Sequence, residues 1–270
     1  MKAKLILSGL LFCLLGSSSC HFLISQNIDE RIVGGEPVIP FIFPFAASIQ
    51  CSGYHFCGGA LISDTILISA GHCVISSCPI SSLRVFVHRH NINLPPTAEN
   101  STVFTVVQIS RHPKYNGVNY ENDISVWKLR KIVSYDEPLK FAMLDKGDLS
   151  REGTKTMALG WGYQKFGVPV LSSTLLFVNL PIVNPSICKR IYEKYFFMGK
   201  QLCVGGDVAN KDTCQGDSGG GLFVTDSSGK IFIVGIVSWG YECGRVGYPG
   251  VYTKISSFLD WIHDTVNSLN

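Results

Sequence analysis

Seven residues, Cys214-Gln215-Gly216-Asp217-Ser218-Gly219-Gly220, preceded by Asp212, hold the densest chemistry in this chain. A serine among small, turn-permitting neighbours is a candidate nucleophile, and the acid upstream of it could hold a cationic group nearby. Gly216-Asp217-Ser218-Gly219-Gly220 also satisfies G-x-S-x-G, an elbow that needs strand, sharp turn and helix, with an acid and a histidine later in the chain. Here Ser218 is followed by Leu222-Phe223-Val224-Thr225, a polar Asp226-Ser227-Ser228-Gly229, and Ile231 to Val237, which reads as a β-hairpin. The only histidine after Ser218 is His263, on a predicted terminal helix, so the elbow reading fails on context.

A base must therefore come from upstream. His72 ends the apolar run Leu67-Ile68-Ser69-Ala70-Gly71-His72-Cys73, and Asp123 opens another, Asp123-Ile124-Ser125-Val126-Trp127-Lys128-Leu129. A serine hydroxyl needs a neutral imidazole to take its proton, and a buried carboxylate to fix the tautomer and stabilise the imidazolium. The order His, Asp, Ser is one of three known for this triad.

Beyond these residues the chain carries Arg31-Ile32-Val33-Gly34-Gly35, Ser69-Ala70-Gly71-His72-Cys73, Asn122-Asp123-Ile124, Gly160-Trp161-Gly162, Ser238-Trp239-Gly240 and Pro249-Gly250-Val251-Tyr252. With the Ser218 stretch these motifs resemble the trypsin-like serine proteases, in family order from residue 31 to the last helix. The resemblance implies an all-β fold of two packed six-stranded antiparallel barrels with a C-terminal helix and the active site in the cleft between them. It implies catalysis by His72, Asp123 and Ser218, with the backbone N–H groups of Gly216 and Ser218 as the oxyanion hole.

Asp212 then falls at the base of the first specificity pocket, where an acid selects arginine or lysine, and Gly240 and Gly250 at wall positions that leave room for a long side chain. Thr213, Gln215 and Ser238 join the pocket, and Tyr120 and Trp239 the neighbouring apolar subsites. The resemblance also implies a zymogen: cleavage after Arg31 by a trypsin-like protease frees the Ile32 ammonium to pair with Asp217. Partners implied are peptide or protein substrates with Arg or Lys at the cut, and protein protease inhibitors. The competing class is a silent homologue that binds a partner; such chains usually lose Ser, His or Asp, and this one keeps all three.

Composition agrees. The chain has 270 residues, 46% of them hydrophobic, enough for a large core. Three of its 23 basic and two of its 20 acidic residues lie at or before Arg31, which leaves residues 32–270 near +2 and argues against a nucleic-acid partner. Lys2 and Lys4, the apolar stretch Leu5 to Leu15 and the small Gly16-Ser17-Ser18-Ser19 predict a signal peptide over 1–19, cut after residues 18–20. The apolar stretch is too short to anchor the protein in a membrane. Residues 20–31 are then the activation segment and 32–270 the catalytic domain of a secreted, monomeric protein.

Ten cysteines fit an oxidising compartment, and Cys13 leaves with the signal. The resemblance pairs Cys57 with Cys73, Cys188 with Cys203, and Cys214 with Cys243. Cys51 and Cys78 flank the first pair and are expected to form an extra bridge; a cut after Cys20 leaves an even count. A further family bridge is missing on both sides, at Thr156 and Val224.

The strand signals run Ala60 to Ala70, Leu83 to Val87, Val103 to Ile109 and Ile124 to Leu129 for the first barrel. Those for the second run Thr156 to Trp161, Thr174 to Val183, Leu222 to Thr225, Ile231 to Trp239 and Gly250 to Ile255. Asn184-Pro185 caps a short helix through Ile191, and Phe258, Leu259, Ile262 and Val266 predict a terminal helix packed on the second barrel. Gly71 stands where alanine is common and Gly221 where proline is usual. Arg89-His90-Asn91-Ile92-Asn93 resembles the start of a calcium loop, but Arg89 replaces a ligand carboxylate, and Pro249 argues against sodium activation; no metal or cofactor is expected. Asn100-Ser101-Thr102 is a glycosylation sequon on a polar loop.

Overall fold

The computed structural model describes residues 33–133 and 139–269. The expected signal peptide, Cys13, Cys20, Arg31 and Ile32 lie outside the described residues. Among the described residues fourteen strands run in chain order, beginning with β1 (Glu36–Pro37), β2 (Ala46–Cys51), β3 (Tyr54–Leu61), β4 (Ile66–Ser69), β5 (Leu83–Val87), β6 (Thr102–Arg111) and β7 (Ser125–Val133). They continue as β8 (Met143–Leu144), β9 (Lys155–Gly160), β10 (Leu176–Pro181), β11 (Gln201–Val204), β12 (Gly221–Thr225), β13 (Ile231–Trp239) and β14 (Gly250–Lys254), with helices α1 (Pro185–Tyr192) and α2 (Leu259–Leu269).

Strands β2-β3-β4-β7-β6-β5 close into a six-stranded barrel. The second sheet runs β1-β10-β9-β12-β13-β14-β11, with β8 beside β13. A bridge between Ile182, just after β10, and Val204 of β11 joins these two strands, so six strands, β9 to β14, curl round a second core. Apolar side chains of both sheets merge in one cluster that includes Leu67, Trp127, Phe223 and Ile236, so the two halves share buried surface rather than a hinge.

The sequence signals merged or passed over several strands. The run Ala60 to Ala70 is a hairpin: β3 and β4 turn over at Ser63-Asp64-Thr65, with the Ile62 N–H bonded to the Ile66 carbonyl. β2 joins β3 through Ser52-Gly53, whose φ angles of 50° and 88° match the left-handed pair that a two-residue hairpin needs. Asn184 caps α1 as expected, its Oδ1 accepting from the Ser186 N–H at 2.9 Å. The terminal helix departs from expectation, because α2 leans on β7 of the first barrel. The cause is aromatic: Phe258 and Trp261 close round the His112 ring that follows β6, at centroid distances of 5.5 and 4.9 Å. No helix among the described residues is long and apolar enough to cross a membrane.

All four expected disulfides are present, Cys51–Cys78, Cys57–Cys73, Cys188–Cys203 and Cys214–Cys243. At the site of the missing bridge, the Thr156 hydroxyl donates to the Leu180 carbonyl at 2.6 Å and Val224 packs on the second core. The register that sets Leu222 opposite Ala158 and Phe223 opposite Met157 brings Val224 toward Thr156. Cα atoms of antiparallel partners lie about 4.5–5.5 Å apart, within disulfide reach. The double substitution Thr156→Cys, Val224→Cys should therefore leave no new free thiol, and should raise unfolding stability by about 2–4 kcal/mol over its reduced form. Thiol titration and denaturant melts check both.

Candidate active site

His72 is delivered by β4. The chain leaves Ser69, makes one tight turn over Gly71–Cys73, and is clamped there by the Cys57–Cys73 bridge. Asp123 sits at the mouth of β7 with no solvent exposure. Its Oδ1 accepts from the His72 backbone N–H and its Oδ2 from His72 Nδ1, both at 2.8 Å. The proton is thus held on Nδ1, and the Nε2 lone pair is left for a hydroxyl proton. Ser238 of β13 donates its hydroxyl to the same Oδ2 at 2.6 Å, and Thr253 of β14 donates to the Asp123 carbonyl at 2.7 Å. Ser238, expected as a substrate contact, lines the cavity while its hydroxyl is committed to the acid.

Gly71 allows this close approach: a Cβ there would come within 3.1 Å of Tyr115 Cδ2 and 3.2 Å of Asp123 Oδ1. At Gly221 a Cβ would collide with Phe223 Cζ, so a larger residue there requires the Phe223 ring to shift.

Ser218 lies in the turn before β12. Its carbonyl accepts from the Gly58 N–H at 2.8 Å, which ties the loop to β3 of the other barrel. Within the loop, the Asp217 N–H donates to the Cys214 carbonyl and the Gly219 N–H to that of Val237, both at 2.9 Å. The N–H groups of Gly216 and Ser218 donate to nothing among the described residues. Gly216 has φ +96°, and a Cβ there would lie 2.6 Å from Leu171 Cδ2, so the turn requires glycine.

Asp217 is buried under the loop. Oδ1 accepts from the Gly162 N–H at 2.7 Å and Oδ2 from the Cys214 N–H at 2.8 Å. Burial pushes its pKa up to about 6 despite both bonds. No cationic partner for it occurs among the described residues. Gly160 and Gly162 leave the space that its carboxylate fills.

Asp212 forms the floor of a cavity of about 300 Å³. Its carboxylate accepts from the Thr213 N–H at 2.8 Å and the Gly244 N–H at 3.1 Å, and burial raises its pKa to about 7. The cavity wall includes His72, Ser218, Tyr120, Thr213, Gln215, Ser238, Trp239, Gly240 and Gly250, so every expected pocket residue faces one space. A Cβ on Gly250 would stand 3.2 Å from Asp212 Oδ1, whereas Gly240 meets nothing closer than 3.5 Å. Gly250 therefore protects access to the acid, and Gly240 keeps the wall smooth.

One contributor carried no motif in the sequence. His55 Nε2 meets the Gly216 carbonyl at 2.9 Å, and its Nδ1 meets Ser48 Oγ at 2.8 Å. Burial lowers its pKa to about 4, so the ring is neutral; the carbonyl requires a donor at Nε2, and Nδ1 accepts from Ser48. Gln50 Nε2 donates to the same Ser48 oxygen at 3.2 Å. This chain fixes the peptide that carries the Gly216 carbonyl. A buried serine and glutamine on one strand, with a histidine across the hairpin turn, were the only hint.

The Arg89 guanidinium lies inside the loop that resembles a calcium site. It donates to Glu99 at 3.0 Å, to the Ile92 carbonyl at 3.3 Å and to the Leu94 carbonyl. The Asn100 backbone is left-handed and exposed, beyond the short turn Pro96–Glu99.

The family model described as Trypsin matches residues 32–262. The chain is 36% identical over 240 residues to Trypsin-3 of Salmo salar, covering 89% of this chain and 94% of that one. It is 34% identical over 238 residues to Trypsin II-P29 of Gallus gallus, covering 88% and 90%, and 33% identical over 243 residues to the Vitellin-degrading protease of Bombyx mori, covering 89% and 88%.

The chain belongs to the trypsin family. It is a serine endopeptidase by that membership.

On the expectation that Asp212 holds a substrate cation, a cation would pair with its ionised form, whose fraction falls about tenfold per pH unit below its pKa. The affinity of a small amidine should rise about tenfold per unit from pH 5 to 7 and level off above, and Asp212→Asn should remove that slope. Titration calorimetry across this range checks it.

Proposed function

We propose that residues 32–270 are the catalytic domain of a secreted protease, made as a zymogen, that hydrolyses peptide bonds after Arg or Lys. The observation that carries this reading is the single cavity in which the His72–Asp123 couple and Ser218 open above the buried Asp212 carboxylate. A guanidinium or ammonium on the substrate neutralises that carboxylate and places the following carbonyl carbon at Ser218. Ser218 Oγ attacks as His72 Nε2 takes its proton. The oxyanion accepts from the two uncommitted N–H groups, Gly216 and Ser218, each contributing about 3 kcal/mol. Collapse passes the proton from His72 to the leaving amine and leaves an acyl-serine, which water, deprotonated by the same imidazole, hydrolyses.

Activation follows from Asp217. Two N–H donors hold its carboxylate, and a cation is needed to offset the cost of keeping it charged in the interior. Cleavage after Arg31 by a trypsin-like protease supplies the Ile32 ammonium. Val33, next in the chain, is already buried, and its carbonyl accepts from the Asp212 N–H at 3.2 Å, which ties the residue after the cut to the segment that leads to Asp217. Secretion is supported by the leader-like N-terminus and by four disulfides.

After treatment with trypsin, the protein should cleave Arg-amide peptides and leave Phe-amide peptides intact. Ser218→Ala should lower kcat by at least about 10⁴-fold with an unchanged melting temperature. Asp212→Ser should cost about 10²–10³-fold in kcat/KM for Arg, because the substrate cation then enters the pocket unpaired. Turnover of Arg peptides that survives Ser218→Ala would overturn the mechanism. Arg31→Gln should stay inactive under the same treatment, and N-terminal sequencing of the wild type should read Ile-Val-Gly-Gly; full activity of uncut Arg31→Gln excludes the zymogen reading.

A further inference from the structure

Glu242 lines the same cavity at its mouth, and no expected role covers it. It is a glutamate with φ +67°, a conformation that glycine adopts freely and glutamate rarely does. Strain of this kind persists where the surroundings enforce it, and it clusters at functional sites. Here the next residue, Cys243, is bonded to Cys214 beside the catalytic loop, and the Gly244 N–H is bonded to Asp212 Oδ2. The segment that carries Glu242 is therefore held at the rim from both the catalytic loop and the pocket floor.

Its carboxylate is only half committed. Arg245 Nη1 donates to Glu242 Oε1 at 3.1 Å, and Oε2 has no partner among the described residues. Arg245 is itself anchored elsewhere: its guanidinium lies 4.4 Å from the Tyr248 ring and 5.2 Å from that of Tyr241, which stack on each other. The Glu242–Arg245 pair is more than a third exposed on both sides, so it binds weakly and exchanges readily.

We propose that Glu242 is a specificity-determining residue that favours substrates with a second cationic side chain two residues before the Arg or Lys at the cut. This rests on the Arg/Lys reading of Asp212. In an extended peptide, side chains two residues apart share a face about 6.7 Å apart. With the first cation on the pocket floor, the next side chain on that face rises toward the mouth, where Glu242 Oε2 accepts it. The preferred substrate is a basic peptide of the form basic-X-Arg or basic-X-Lys, in which the mouth and the floor of one cavity each hold a positive charge.

The test compares the processed enzyme on Lys-X-Arg and Ala-X-Arg peptide amides. The wild type should prefer the lysine peptide about fivefold in kcat/KM at low salt, and less at high salt. Glu242→Gln should remove the preference and leave the alanine peptide within about twofold of wild type. Glu242→Gly, which suits the backbone, should match it and guards against misfolding. Arg245→Gln should widen the preference. A wild type without preference, or a preference that survives both Glu242 variants, overturns the proposal. Failure to cleave the alanine peptide at all would instead sink the Asp212 reading beneath it.

Discussion

A single buried carboxylate couples the two halves of this molecule. Asp123 takes both hydrogen bonds of the His72 turn from the first barrel and the Ser238 hydroxyl from β13, while its carbonyl takes the Thr253 hydroxyl from β14. A charge without solvent exposure is tolerated only when several donors surround it, so each of these groups is constrained by all the others. The Gly58 to Ser218 bond closes the same seam from the nucleophile side. The geometry of base and nucleophile is thereby set by the packing of two barrels rather than by any local loop.

Two more carboxylates lie on the second-barrel side. Asp212 and Asp217 are both nearly dry, both are held by pairs of backbone N–H groups, and the Asp217 carboxylate disfavours ionisation of Asp212 beyond the cost of burial. The fold thus contains two buried negative sites a few residues apart with no cation of its own among the described residues. On the function proposed above, one is completed by the chain's new terminus and the other by the substrate. The stored electrostatic cost is what makes both completions selective for a positive charge.

Much of this was legible in the chain because chemistry at a site demands particular residue types. His72, Asp123, Ser218 and Asp212 stand in short motifs, and glycines at 216, 240 and 250 mark places where a side chain would collide or block. The extra Cys51–Cys78 bridge followed from neighbouring loops. Strand limits were less visible. Ala60 to Ala70 is apolar on both sides of its turn, so periodicity could not show the break, and β11 is too short to signal. The apolar face of helix α2 does not say which barrel it will meet; the His112 ring after β6 decides that. His55 and Glu242 escaped because their roles depend on contacts distant in sequence, the Gly216 carbonyl and the shared cavity.

The loop that contains Arg89 has a consequence for where the protein can operate. Its guanidinium is almost fully buried and satisfies one carboxylate and two carbonyl groups that converge on the loop interior. A cation supplied by a side chain is present at one equivalent from the moment the chain folds, and it neither dissociates nor competes with other ions. The positive charge that this carboxylate and these carbonyl groups meet is thereby covalently part of the chain, so the loop carries its own counter-charge wherever the protein goes.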